Sequence, residues 1–132
     1  MERYIVRHES DIGIAVLAAK AQAKLIGLSI DQQNRLSTAV SELATNIVKY
    51  TDGKGGDILI REAIANSENC ELVVQARDNG PGISNIDQAL EENYSSGGTL
   101  GLGLPGVRRI VDYFKIVSEE GVGTVVTIGM RR

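Results

Sequence analysis

The stretch Asp31–Tyr50 constrains the fold more than any other part of the chain. Its apolar residues Leu36, Val40, Leu43, Ile47 and Tyr50 step by three and four, which predicts a long helix with one buried stripe, capped by Ser29 or Asp31. Such a stripe needs an apolar layer to pack on. Upstream, Asp11–Ile26 reads as a second helix, capped by Ser10 and stopped by Gly27. Alternating or continuous apolar runs predict strands at Tyr4–Arg7, Asp57–Ala65, Glu71–Arg77, Lys115–Ser118 and Thr124–Met130. A short helical piece is expected at Ile86–Leu90, and a third helix from Leu104–Pro105 to about Tyr113. The order β-α-α-β-β-α-β-β predicts an α+β, two-layer sandwich with a mixed sheet and helices on one face. No repeat or linker interrupts it, so residues 1–132 are read as a single domain. With no tryptophan and 1 phenylalanine, its core must be aliphatic.

Composition excludes several functions. A formal charge of −3 argues against nucleic acid as the main partner, since phosphate backbones select net basic surfaces. No apolar run reaches the roughly 18–20 residues a membrane span needs, and the charged start of the chain is unlike a signal peptide. The single cysteine, Cys70, precludes an internal disulfide, suits a reducing cytoplasm and is read as structural. One histidine, His8, and one cysteine are too few for a structural zinc site, and His8 is read as an ordinary surface residue.

The run Leu100–Arg109, LGLGLPGVRR, contains G-x-G-x-x-G at Gly101, Gly103 and Gly106. A dinucleotide-binding turn requires a buried strand just before the first glycine, and YSSGGTL precedes this one. Glu119 and Glu120 do fall at the spacing of a ribose-binding acid, yet too little chain follows for a doubly wound sheet. Walker A and protein-kinase motifs are absent from the sequence. What remains is a glycine turn opening a helix, with Pro105 where a missing N–H costs nothing. Backbone amides and the helix dipole together make a cradle for phosphate, with the polar segment Glu91–Thr99 as a lid just upstream.

Two further clusters offer chemistry. Glu42, Asn46, Lys49 and Tyr50 share one face of the second predicted helix, pairing a carboxylate for base work with a neutral oxygen ligand suited to magnesium. Asp78-Asn79-Gly80-Pro81-Gly82 ends an apolar strand, and its carboxylate can accept from an exocyclic amine while glycine backbone lies close to a flat ring. Taken alone, the first reads as a solvated polar face and the second as a turn.

Their order is more specific. S-E-L-x-x-N on a helix, D-x-G-x-G after a strand, a lid, G-x-G-L before a helix and G-x-G-T near the end together resemble the Bergerat-fold, or GHKL, ATPases. The likeness spans Leu36–Ile128, and GGTLGLGLPGVRR is similar to the switch-protein serine/threonine kinases of bacterial stressosome pathways.

That resemblance implies roles residue by residue. Asn46 would hold magnesium bridging the phosphates of ATP, and Glu42 would orient or deprotonate the attacking hydroxyl. Asp78 would accept from the adenine amine, with Thr124 assisting through a shared water, while Gly80 and Gly82 let the backbone pass the base. The run Gly98, Thr99, Leu100, Gly101, Leu102, Gly103 and Leu104 would line the phosphates, and Lys49 could reach one of them, although relatives vary at that position. The helical hairpin of sensor histidine kinases and the transducer domains of gyrase-type relatives are both missing from this sequence. The resemblance therefore implies a cytoplasmic ATP-dependent serine/threonine kinase acting in trans on a STAS-domain antagonist and then switching to a downstream phosphatase. An anti-sigma factor is the alternative.

Overall fold

The computed structural model describes residues 1–62, 70–83, 90 and 103–132. In chain order the described elements are β1 (Glu2–Val6), α1 (Glu9–Leu25), α2 (Ile30–Lys49), β2 (Gly56–Glu62), β3 (Leu72–Asp78), α3 (Gly103–Ile110), β4 (Tyr113–Glu119) and β5 (Gly123–Met130). The expected helical piece at Ile86–Leu90 and the lid Glu91–Thr99 lie outside the described residues, Leu90 apart.

The strands form one sheet in the order β1-β2-β3-β5-β4. The two-layer α+β architecture is as expected, but every pairing is antiparallel, so the sheet is not mixed. The reason is topological. β3 and β4 do run parallel, joined by the segment containing α3, but β5 hairpins back and inserts between them.

Period-two alternation splits the sheet into two unlike faces. Toward the helices point Val6, Ile58, Ile60, Leu72, Val74, Ala76, Val126, Ile128 and Met130, meeting Ala15, Ala19 and Ala23 of α1 and Leu36, Val40, Leu43 and Ile47 of α2. Alanines on the inner line of α1 let it pack close to α2. The expected α2 stripe is buried at four of its five positions. Tyr50 departs from it: it is the C-cap residue and exposed, and Thr51 takes the interior place, its hydroxyl donating to the Ile47 carbonyl at 2.6 Å.

Helix starts follow side-chain chemistry. Ser29 caps α2, with reciprocal bonds to Gln32. Ser10 does not cap α1; the helix begins earlier, with His8 at the cap, because Asp11 Oδ2 accepts from the amides of both Arg7 and His8 at 2.9 Å. His8 itself is exposed, as expected. α3 ends at Ile110, short of the expected Tyr113, where the Asp112 amide turns to the Gly129 carbonyl and the chain enters β4. Cys70 is buried, with its sulfur over Gly129, where an added Cβ would come within 2.6 Å. That contact fits its structural reading.

On the face away from the helices, Asp57 is 4% exposed and held by Arg77 Nε and Nη2, each at 2.9 Å, and by Arg3 Nε at 2.7 Å. The Arg77 guanidinium, seconded by Arg3, keeps the Asp57 carboxyl below its usual range against the opposing effect of burial. A folded-state value below the unfolded one adds stability above the unfolded value and loses it as pH falls through the folded one. Asp57→Asn is therefore expected to lose roughly 1–3 kcal/mol at neutral pH. The deficit should shrink as pH drops below the ordinary carboxylate range. Urea unfolding against pH checks this, and a deficit constant down to strong acid would contradict it.

Candidate nucleotide site

The site lies at the end of the sheet where β3 stops. Asp78 is the last residue of that strand, pairs with Gly56 of β2, and points to the helix side because Ala76 does. Its Oδ1 accepts from the Gly80 amide at 2.9 Å and the Thr124 amide at 3.2 Å. Among the described residues, the bonds recorded to this carboxylate all go to Oδ1. One oxygen is thus fixed by the fold, which orients the other for a ligand.

The turn after Asp78 is clamped from both sides. Gly80 is buried where a Cβ would meet the Thr51 methyl at 3.0 Å and the Tyr50 carbonyl at 3.1 Å. Thr51 in turn accepts from the Gly55 amide at 2.9 Å, and Gly55 accepts from the Asn79 amide at 3.3 Å. On the other flank, the Pro81 carbonyl accepts from the Gly121 amide at 2.8 Å, and the Ile83 amide donates to Ser118 Oγ at 2.7 Å. Thr124 and Ser118 face each other across the β4–β5 ladder with their hydroxyls 2.8 Å apart. Asp78 and Thr124, far apart in sequence, therefore meet as expected, although the direct link between them is the Thr124 amide.

Sequence reasoning missed Ser118 and Thr51. Ser118 is legible only once the β4–β5 register is known, which the G-V-G turn helps to set. Thr51 lies inside what reads as a plain turn cluster.

Glu42 and Asn46 are half-buried and one helical turn apart on α2; Lys49 lies on the same side, exposed. α2 runs from the Met130 end of the sheet to the Asp78 end, where Thr51 touches the Gly80 turn. α3 packs along α2 with its last carbonyl, Ile110 O, bound by Arg35 Nη1 at 3.1 Å. At ~1.5 Å per residue, the eight residues of α3 span about 10 Å. Gly103 opens α3 at φ +65°, a conformation that favours glycine, while Pro105 is buried in the first turn. Leu104 packs against the core. Gly98, Thr99, Leu100, Gly101 and Leu102 lie outside the described residues.

This donor set fits a magnesium nucleotide. The Asp78 carboxylate, with one oxygen held by the Gly80 and Thr124 amides, suits an exocyclic amine, and the neutral amide of Asn46 suits an ion that takes its other ligands from phosphate and water. Among the described residues no cluster of three or more His, Cys, Asp or Glu side chains offers a metal cage. Nor is any described helix long and apolar enough to cross a membrane.

Comparison with known proteins agrees with this geometry. The chain belongs to the histidine kinase-, DNA gyrase B- and HSP90-like ATPase family, whose profile matches residues 31–132. Within it, the chain is 42% identical over 118 residues to the serine/threonine-protein kinase RsbT of Bacillus subtilis, covering 89% of this chain and 86% of that one. It is 35% identical over 125 residues to the anti-sigma F factor of Clostridium beijerinckii, covering 92% and 84%. The histidine kinase domain of a blue-light activated kinase from Erythrobacter litoralis shares the fold with a TM-score of 0.55 at 23% identity; the match takes in 90% of this chain and 58% of that one.

Gly82 gives the turn a steric test. It has φ +78°, and an added Cβ would come 2.3 Å from the Glu119 carbonyl, whereas Gly53, at φ +79°, faces open space. Both alanine variants carry the left-handed backbone penalty of about 1–2 kcal/mol. Gly82→Ala adds the clash and is expected to lose more stability than Gly53→Ala in thermal melting. Equal losses would show that the contact with Glu119 is not limiting.

Proposed function

We propose that this protein is an ATP-dependent serine/threonine kinase that phosphorylates another protein and exchanges partners as it does so. The observation that carries the reading is the Asp78 carboxylate at the end of β3, anchored through one oxygen by the Gly80 and Thr124 amides. Similarity to a serine/threonine kinase over most of both chains supports the reaction class. Asp78 receives the adenine amine, with Thr124 and Ser118 holding that wall of the pocket. Asn46 holds magnesium, which when bound offsets phosphate charge. Amides at the start of α3 receive the phosphates, helped by the glycine run before it, and Lys49 reaches them from α2. Glu42 faces the incoming hydroxyl and takes its proton as the phosphoryl group transfers.

The substrate in this reading is a STAS-domain antagonist of a stressosome-type pathway in the cytoplasm, and the next partner is a downstream phosphatase. A second reading has its own support. Similarity to an anti-sigma F factor favours a protein that sequesters a sigma subunit and uses the same nucleotide site to release it. Pull-down from extract separates the two, since recovery of a STAS protein supports the first and recovery of a sigma subunit the second.

Asp78→Asn is expected to keep the fold, because the amide oxygen still accepts from Gly80 and Thr124. It should nonetheless bind ATP much more weakly, having lost the charged acceptor for the adenine amine. Calorimetry with ATP and GTP measures this, and equal binding of GTP by the parent protein would contradict the role given to Asp78.

Glu42→Gln keeps size and shape, so ATP affinity and melting should hold while single-turnover transfer to the partner falls by about 10²–10⁴. A near-normal rate would remove the base role and leave positioning as the main source of catalysis.

A further inference from the structure

A cleft of about 500 Å³ opens on the sheet face away from the helices and reaches the end of β3, where Asp78 and Asn79 lie. Its charged lining is Arg3, Arg7, Lys54, Asp57, Arg77 and Asp78. Asp57 alone is shared between Arg3 and Arg77, so this trio keeps one net positive charge. Arg7, which donates through Nε to the Gly53 carbonyl, and Lys54 add two more, both exposed, and Asp78 offsets one, so the cleft stays net positive. This concentration of cations runs against the balance of a chain whose formal charge is −3.

Apolar seats lie beside the charges. Register across the sheet sets Ile5, Asp57, Arg77, Val125 and Val117 in one row, strand by strand. Ile5 is 56% and Val117 55% exposed. With strands about 4.8 Å apart, the row spans roughly 19 Å, the reach of a short peptide and more than that of a single phosphate.

We propose that this face docks an acidic segment of another protein, one whose carboxylates meet Arg3, Arg7, Lys54 and Arg77 and whose aliphatic side chains rest on Ile5, Val125 and Val117. Arg77 and Arg3 are already oriented by Asp57, so they present fixed donors at little ordering cost. Arg7 and Lys54 supply the long-range attraction that draws in an acidic chain. The cleft shares Asp78 with the proposed nucleotide site, but Arg3, Arg7, Lys54 and Arg77 are given no part in holding ATP, so peptide binding can fail while ATP binding persists, and the reverse.

The test uses the full chain and a fluorescein-labelled peptide of alternating glutamate and leucine. Saturable binding that weakens with added salt is expected. Arg7→Gln/Lys54→Gln, which leaves the Asp57 trio intact, should weaken it about tenfold or more. Lys20→Gln/Lys24→Gln, the same loss of charge on exposed positions of α1, should leave it unchanged. Both variants should melt and bind magnesium ATP like the parent. Several results would overturn the proposal: no peptide binding, equal weakening in both variants, or displacement of the peptide by inorganic phosphate at matched charge. So would a dimer of the parent that sedimentation shows to be lost only in Arg7→Gln/Lys54→Gln, since the face would then belong to a second copy.

Discussion

Strand β3 carries the constraint on which everything else rests. It is paired on both sides, by β2 and by β5, so its register cannot slip without turning two ladders inside out. That fixed register makes its final residues point alternately. Ala76 enters the aliphatic core, Arg77 emerges on the open face to hold Asp57, and Asp78 returns to the helix side to accept from the Gly80 and Thr124 amides. A slip of one residue would turn Arg77 toward the aliphatic core and take Asp78 away from the Gly80 and Thr124 amides.

The helices finish what the strand begins. α2 contributes its stripe to the core and presents Glu42 and Asn46 on an adjacent face, so the residues assigned to phosphate chemistry are held by the packing that stabilises the domain. α3 is short, but the hydrogen bond from Arg35 ties its end to the start of α2. Loop glycines then bring backbone close without filling the pocket. Rigid elements supply position, and turns supply donors.

Much of this was legible in the sequence, for identifiable reasons. Leu36, Val40, Leu43 and Ile47 declare α2 because burial selects a period that survives without context. The family is legible because several short motifs, Asp78 and its glycines among them, occur in order. Legibility fails where a contact depends on pairing between distant strands. Antiparallel closure of the whole sheet hinges on β5 inserting between β3 and β4, which no local pattern encodes. Ser118 and Thr51 are single hydroxyls whose partners sit elsewhere in the chain or in space. At helix ends, Asp11 outcompeted Ser10 for free amides and Thr51 displaced Tyr50 from the core, contests between neighbours that a stripe cannot resolve.

The Thr51 hydroxyl joins two pieces of backbone that a diagram would draw apart. It donates to the last turn of α2 and accepts from Gly55, while its methyl abuts the Gly80 turn. Fraying of the helix end therefore exposes the turn, and loosening of the turn frees the helix end. In hydrogen exchange these amides are expected to open as one unit rather than two. Whatever steadies the Gly80 turn would then slow exchange in the final turn of α2 as well, through Thr51.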